Sequence, residues 1–359
     1  MKVFNFNAGP AMLPAVVMER AQKEFCNFKD SGCGILEHSH RAKFFEEVLA
    51  RANDNVRRIM NVPETHAIVY IQGGASLQFA MIPMNFMLPG GYAEYADTGT
   101  WSSKAMKEAK LFGEVRTAAS SKEDKYAYIP ALDTFRLTDE ASYLHITSNN
   151  TIYGTQYRDF PEPKAAPMIA DMSSDIMSRK VDVSKFGMIY AGAQKNLGPS
   201  GVALVIVRKD LAGRTPANVP TMLRYGTYID NNSLYNTPPT FGIYMIALVT
   251  DWVLEMGGLE KIEAVNDAKA AAIYAEMDAS EGYYHSPVHK DSRSRMNVVF
   301  RLPNEELEAK FVKEATESGM IGLKGHRSAG GIRASIYNAM PMEGVEKLVA
   351  FMKAFRKAN

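Results

Sequence analysis

Lys195 stands in the string Ala191-Gly192-Ala193-Gln194-Lys195-Asn196, directly after the apolar run 186–190. A lysine just past a buried strand, among small residues, is poorly placed as a solvated surface charge. Burial disfavours the ammonium form and frees the amine lone pair, so the position suits an amine nucleophile. Asp171 closes a second short apolar run, Pro167-Met168-Ile169-Ala170, which puts its carboxylate at another strand end. A lysine and an aspartate on two strand ends in one crevice suit pyridoxal phosphate. The amine holds the aldehyde as a Schiff base, and the carboxylate keeps the ring nitrogen protonated so that the ring acts as an electron sink. Each residue also has a plainer reading. A lone lysine is usually solvated, and Asp171 could cap a helix starting at Met172.

Other residues are spaced to complete such a site. Gly73-Gly74-Ala75-Ser76 falls between a strand and a helix. Backbone amides at a helix start, with a hydroxyl beside them, cradle a phosphate, although paired glycines there also serve sterics alone. Trp101 follows the turn Thr98-Gly99-Thr100 and could stack on a pyridine ring or fill a core. Ser148-Asn149-Asn150-Thr151 follows a strand and offers hydroxyls and amides to a phenolate oxygen, or is a polar turn. Two basic clusters, Ser39-His40-Arg41 and Gly325-His326-Arg327 with Arg333 beyond it, lie at glycine-rich turns. Arginine forks bind carboxylate and phosphate bidentately, so together they suggest a doubly anionic substrate, while any one alone reads as surface arginine. Cys33, His38 and His40 lack a fourth ligand and fit no zinc spacing, so no metal is expected.

These groups need a scaffold that gathers strand ends. Strands are predicted at 66–72, 92–96, 114–119, 143–148, 168–170, 188–190 and 202–207, with helices at 77–87 and 101–110 between the first of them. That alternation means an α/β fold: a large domain with a mostly parallel central sheet flanked by helices, binding its ligand at the carboxyl ends of the strands. Upstream, a helical pattern follows Pro14 to about Phe28, and a second helix covers 43–60 with Phe44, Val48, Val56 and Ile59 on its apolar side. A long helix from about Phe241 breaks at Gly257-Gly258 and resumes to about Met277. Strands at 296–302 and 332–336 and helices at 305–318 and 344–357 then indicate a smaller C-terminal α/β domain. The expected division is 16–260 for the large cofactor-binding domain and 261–359 for the small one, with 1–15 packing near the latter.

Composition narrows the class. A chain of 359 residues is too long for one small core. A formal net charge of +1 gives no reason to expect nucleic acid or a membrane surface as partner. No apolar run approaches a membrane span, and the N-terminus has no signal-peptide layout. Two cysteines in such a length imply a reducing cytoplasm and no disulfide framework.

The segments Phe4–Pro10, Ser39-His40-Arg41, Gly73–Ser76, Tyr190–Asn196 with Gly198-Pro199, Tyr235–Phe241 and Gly325–Pro341 together resemble the phosphoserine aminotransferases, in that family's order. The stretch Gly330–Pro341 is the most specific of them. The resemblance implies a homodimeric class V, fold-type I pyridoxal phosphate enzyme that exchanges an amino group between L-glutamate and 3-phosphohydroxypyruvate. It implies Lys195 as the Schiff-base lysine, Asp171 as partner of the ring nitrogen, Trp101 as the stacking ring and Thr151 on the phenolic oxygen. Ala75, Ser76 and Gln194 would hold the phosphate, joined by Asn236 and Thr237 from the other subunit. Arg333 would clamp the substrate α-carboxylate. His40 and Arg41, with His326 and Arg327 of the partner chain, would read the distal anion. Use of 3-hydroxy-2-oxo-4-phosphooxybutanoate, a pyridoxine-pathway substrate, is also implied. Two positions depart from the family pattern: His38, where an apolar residue is common, and Asn150, where glutamate is usual. Other class V chemistry, such as desulfuration, would need a catalytic cysteine on a loop, and Cys26 and Cys33 lie far upstream of any such position. A cofactor-binding protein without activity would leave the arginines dispensable.

Overall fold

The computed structural model describes residues 2–359. Seven strands form one sheet: β1 (His66–Gln72), β2 (Tyr92–Asp97), β3 (Glu114–Ser120), β4 (Leu144–Thr147), β5 (Met168–Asp171), β6 (Met188–Gly192) and β7 (Val202–Arg208), in the spatial order β1-β7-β6-β5-β4-β2-β3. The pairs β6·β5, β5·β4, β4·β2 and β2·β3 are parallel, and β7 is antiparallel to both of its neighbours. Because β7 alone is reversed, its first residue lies at the same edge as the last residues of the other six. That edge receives every strand-end residue singled out above.

The inner strands β5, β6 and β7 read as near-continuous apolar runs because both faces are covered. Alternate residues go to opposite sides. Ile68, Tyr70, Leu204 and Ile206 join a core under helices Lys43–Met60 and Thr240–Glu255, whereas Val69, Ile71, Val205 and Val207 join one under helix Gly74–Phe86. In the Lys43–Met60 helix, Phe45 is fully buried with Val48, Leu49, Ala52 and Val56. The expected Phe44 is only half-buried, edge-on to Phe28 and tilted against His38. One residue is 100° of helix, so the true stripe runs through Phe45.

Helix Thr240–Glu255 turns through 84° into Gly258–Asp278. Gly257 and Gly258 make that corner at φ 96° and 75°, where side chains are strained. The second helix supplies Leu259 and Ile262 to the large-sheet core, and Ala270, Ile273 and Met277 to another core. That other core holds the antiparallel strands Asn297–Phe300 and Ile332–Ser335 and helices Glu305–Glu317 and Met342–Ala358. Phe4 and Phe6 are buried in it, drawn there by parallel pairing of Phe4–Asn5 with Met320–Ile321. Among the described residues no single helix is long and apolar enough to cross a membrane.

The differences from the sequence reading are local. The first helix is shorter, Ala15–Glu24, followed by one 3-10 turn at Phe28–Asp30 in which Lys29 and Asp30 take positive φ. The helix expected from Leu77 begins at Gly74, so the glycine turn is its first turn. A short hairpin, Asn149–Asn150 with Thr155–Gln156, and a helix, Tyr225–Asp230, are too brief to leave a periodic signal.

Candidate active site

A cavity of about 370 Å³ opens at the carboxyl edge of the sheet, and Ala75, Ser76, Trp101, Asp171, Gln194 and Lys195 all line it. Each follows a strand: Ala75 and Ser76 in the first turn of the helix after β1, Trp101 in the first turn of the helix after β2, Gln194 and Lys195 on the loop after β6, while Asp171 ends β5 itself.

The loop that carries Lys195 is pinned on both sides. The Ala193 amide donates to the Val202 carbonyl (2.9 Å), and the Leu197 and Gly198 amides donate back to the Ala193 carbonyl. Asn196 donates from Nδ2 to the Ile176 carbonyl (3.0 Å) and accepts from the Asn338 amide (3.0 Å). Lys195 therefore has a fixed base and a single direction. Its amine donates to the Thr151 hydroxyl at 2.9 Å and sits 5.9 Å from the Trp101 ring centre. Burial pushes its ammonium down to about 8, against the attraction of Asp171 and aided by the positive charge of Arg333.

Asp171 is 5% exposed. Burial pushes its carboxyl up, while Lys195 and the Ser173 hydrogen bonds oppose that shift. No helix starts at Met172, yet the capping geometry survives in miniature: the Ser173 amide donates to Asp171 Oδ1 at 2.9 Å. Ser173 in turn accepts the Gly192 amide on its hydroxyl (3.0 Å), tying β5 to β6 beneath the cavity. Helix Gly74–Phe86 points its N-terminus into the cavity and carries no acidic residue in its first turn, so its free amides and dipole face an anion unopposed. Gly73 starts it at φ 87°. A Cβ at Gly192 would lie 2.7 Å from Gln194 Oε1, so a larger residue there would displace the Gln194 side chain.

Arg333 leaves the strand Ile332–Ser335 and donates from one terminal nitrogen to the Thr151 carbonyl at 3.5 Å. Thus Thr151 meets both Lys195 and Arg333. The remaining expected residues do not line this cavity. His40 and His326 are half-buried and Arg41 and Arg327 exposed; His326 bonds Ser328 through Nδ1 at 2.7 Å. Asn236 and Thr237 lie outside it, with Gln72 donating to the Thr237 carbonyl at 3.4 Å. His38 bonds Ser31 at 2.9 Å within an aromatic group, and Asn150 is buried among Thr98 and Thr155 hydroxyls. The sequence reading missed Phe79, Ser173, Ser200 and Gly201, which also line the cavity. Ser173 had a signal, a serine two residues past a strand-ending aspartate.

The donor set fits pyridoxal phosphate. Lys195 offers a depressed amine, Asp171 a carboxylate, the Gly74 helix a phosphate seat and Trp101 a flat ring. Trp101 Nε1, Arg333 Nε, His40 Nε2 and Asn236 Oδ1 are buried polar atoms without a hydrogen-bond partner in the chain.

Comparison with known proteins agrees. The family model for class-V aminotransferases matches residues 3–348. The phosphoserine aminotransferase of Niallia circulans is 54% identical over 358 residues, covering 100% of this chain and 99% of the relative. The solved phosphoserine aminotransferase from Bacillus circulans subsp. alkalophilus superposes with a TM-score of 0.98 at 54% identity, covering 99% of each chain. A pyridoxal-phosphate-bound phosphoserine aminotransferase from Trichomonas vaginalis superposes at 0.93 with 39% identity, covering 98% of this chain and 100% of that one. A cavity built round a depressed lysine and a buried aspartate, on this fold and at these identities, places the chain in the phosphoserine aminotransferase family of class-V, pyridoxal-phosphate-dependent transaminases.

Proposed function

We propose that the protein transfers the amino group of L-glutamate to 3-phosphohydroxypyruvate, yielding O-phospho-L-serine and 2-oxoglutarate for L-serine biosynthesis. The observation that carries this reading is the meeting of Lys195, with its ammonium pushed down to about 8, and Asp171 in one cavity, with Arg333 joined to Lys195 through Thr151.

Bound pyridoxal phosphate supplies the electron sink for labilising the substrate Cα–H bond. Lys195 holds the cofactor, then takes and returns the proton as general base, a role suited to an amine that is substantially neutral near pH 8. Thr151 orients that amine through its hydroxyl, which would also be the group to bond the phenolic oxygen of bound pyridoxal phosphate. Asp171 would hold the ring nitrogen protonated, and Trp101 would stack on the ring. Ala75, Ser76 and Gln194 seat the cofactor phosphate, with Asn236 and Thr237 reaching it from a second copy of the chain. Arg333 holds the substrate α-carboxylate as a fork. His40 and Arg41, with His326 and Arg327 of the partner subunit, bind the distal anion: a γ-carboxylate in one half-reaction and a phosphate in the other. The active form is accordingly a homodimer. The same distal set accepts 3-hydroxy-2-oxo-4-phosphooxybutanoate, giving 4-phosphohydroxy-L-threonine for pyridoxine biosynthesis. The two free cysteines, Cys26 and Cys33, accord with a cytoplasmic site of action.

A coupled assay supplying glutamate and each phosphorylated keto acid tests the reading. Turnover of 3-phosphohydroxypyruvate well above that of hydroxypyruvate is expected. Equal turnover of both would remove the distal-anion assignment.

A further inference from the structure

A row of polar rings runs across the sheet and ends at Asp171. Tyr95 on β2 pairs with His145 on β4, and Asp171 on β5 pairs with Tyr190 on β6. Thr147 pairs with Asp171, so His145, two residues earlier on β4, faces the same side. His145, Tyr95 and Tyr190 are fully buried under helix Gly74–Phe86, where only apolar neighbours would be expected. Tyr190 OH and His145 Nε2 are 2.9 Å apart, and His145 stacks on Tyr95 at 4.8 Å.

The proton positions follow from what is left unpaired. His145 Nδ1 has no partner. A buried N–H without an acceptor is rarer in proteins than an under-used acceptor, so the hydrogen belongs on Nε2. Nε2–H then donates to the Tyr190 oxygen, which leaves the Tyr190 hydrogen free for a further acceptor. Asp171 pairs with Tyr190 across β5 and β6 on the same face, so its carboxylate is the acceptor that the register places nearest that hydrogen, and both Tyr190 and Ser173 act to lower the Asp171 carboxyl. Burial keeps His145 neutral, down to about 3, so the relay delivers a hydrogen bond without delivering a charge. The charged groups facing Asp171 are Lys195 and Asp175.

We propose that Tyr190 and His145 are positioning residues for Asp171, passing hydrogen bonds from His145 Nε2 through the Tyr190 hydroxyl to the carboxylate and so fixing it against the cofactor ring nitrogen. This rests on the assignment of Asp171 as the ring-nitrogen partner. Neither Tyr190 nor His145 lines the cavity itself.

The test uses the holoenzyme and three variants. Tyr190→Phe removes only the hydroxyl, His145→Phe keeps a ring and removes the donor, and Asp171→Asn removes the carboxylate charge. Pyridoxal phosphate retention by equilibrium dialysis and the pH titration of the bound cofactor's absorbance are measured, with melting temperature alongside. For Tyr190→Phe and His145→Phe we expect about tenfold weaker retention, the scale of a lost supporting hydrogen bond, together with a displaced titration. Adding Tyr190→Phe to Asp171→Asn should cost nothing further. Unchanged retention and titration in both ring variants, or full additivity with Asp171→Asn, overturns the relay while leaving the Asp171 assignment standing. Wild-type behaviour of Asp171→Asn overturns both. If Tyr190→Phe does not fold, His145→Phe decides by the same readouts.

Discussion

The Lys195 amine donates a 2.9 Å hydrogen bond to the Thr151 hydroxyl, although the two residues sit on loops that follow different strands. Thr151 also accepts from Arg333 on its carbonyl. One residue therefore registers the Lys195 amine on the large sheet against Arg333 on the strand Ile332–Ser335. A shift of that strand relative to the large sheet would be felt at Lys195 through two bonds rather than through the bulk of either core.

Because burial brings the Lys195 ammonium to about 8, the neutral amine dominates above that pH and the ammonium below it. The rate at which cofactor-free enzyme takes up pyridoxal phosphate should rise from pH 6 to about 8 and then level. An amine with the ordinary value would instead keep accelerating, roughly tenfold per unit, beyond pH 9. Stopped-flow absorbance distinguishes the two. Lys195→Ala should lose about 10²–10⁴ in kcat/KM, the range for removing a positioned base.

Arg333→Ala should weaken both half-reactions alike, since the α-carboxylate is common to glutamate and to the phosphorylated product. A lost charge-assisted bond of about 2 kcal/mol corresponds to roughly thirtyfold in kcat/KM. Lysine at this position should recover only part, because a point charge does not reproduce the fork. Single-turnover kinetics with each amino donor gives the answer, and a defect confined to one half-reaction would contradict the assignment.

Arg327 is exposed and does not line the cavity of its own chain. If it serves a neighbouring site, two inactive variants should rescue each other. Mixing Lys195→Ala chains with Arg327→Ala chains leaves each mixed dimer with one intact site, about a quarter of all sites after random exchange. Activity that stays at the sum of the parents would put Arg327 in its own chain's site, or outside any site.

The parts of this site that were legible in the sequence are those that end strands. Lys195, Asp171 and Trp101 follow apolar runs whose direction is set by their neighbours, so a parallel sheet must deliver them to one edge. Phe79 and Ser200 line the same cavity but occur in strings that a core helix or a plain turn would equally contain. The His145–Tyr190 bond was invisible for a different reason. It depends on cross-strand register, Asp171 opposite Tyr190, and register is a property of the assembled sheet rather than of either string. The Phe44 and Phe45 exchange is the helical version of the same limit, since both aromatic neighbours fit a helix and only packing decides which one turns inward.

Lys269 offers a prediction about stability that reaches the active site. It is fully buried on helix Gly258–Asp278, and its amine donates to the carbonyls of Ile336, Tyr337 and Met340 at 3.0, 2.7 and 3.0 Å. The turn it gathers contains Asn338, whose amide donates to Asn196 beside Lys195. Lys269→Met keeps the stem but orphans three carbonyls. Each buried unpaired group costs about 1–3 kcal/mol, partly offset by removing a buried charge, so a net loss of about 3 kcal/mol is expected. Burial pushes the Lys269 ammonium down to about 7 from its ordinary 10.5. Between those values the unfolded chain binds more protons than the folded one, so wild-type stability gains with rising pH and the methionine variant lacks that gain. The gap in melting temperature should therefore widen from pH 7 towards pH 9 and be flat below 7. A gap that stays flat from pH 7 to pH 9 would mean that the three carbonyls hold the ammonium as strongly as burial opposes it. In either case kcat should fall with stability, because the turn that loosens is the one that braces Asn196.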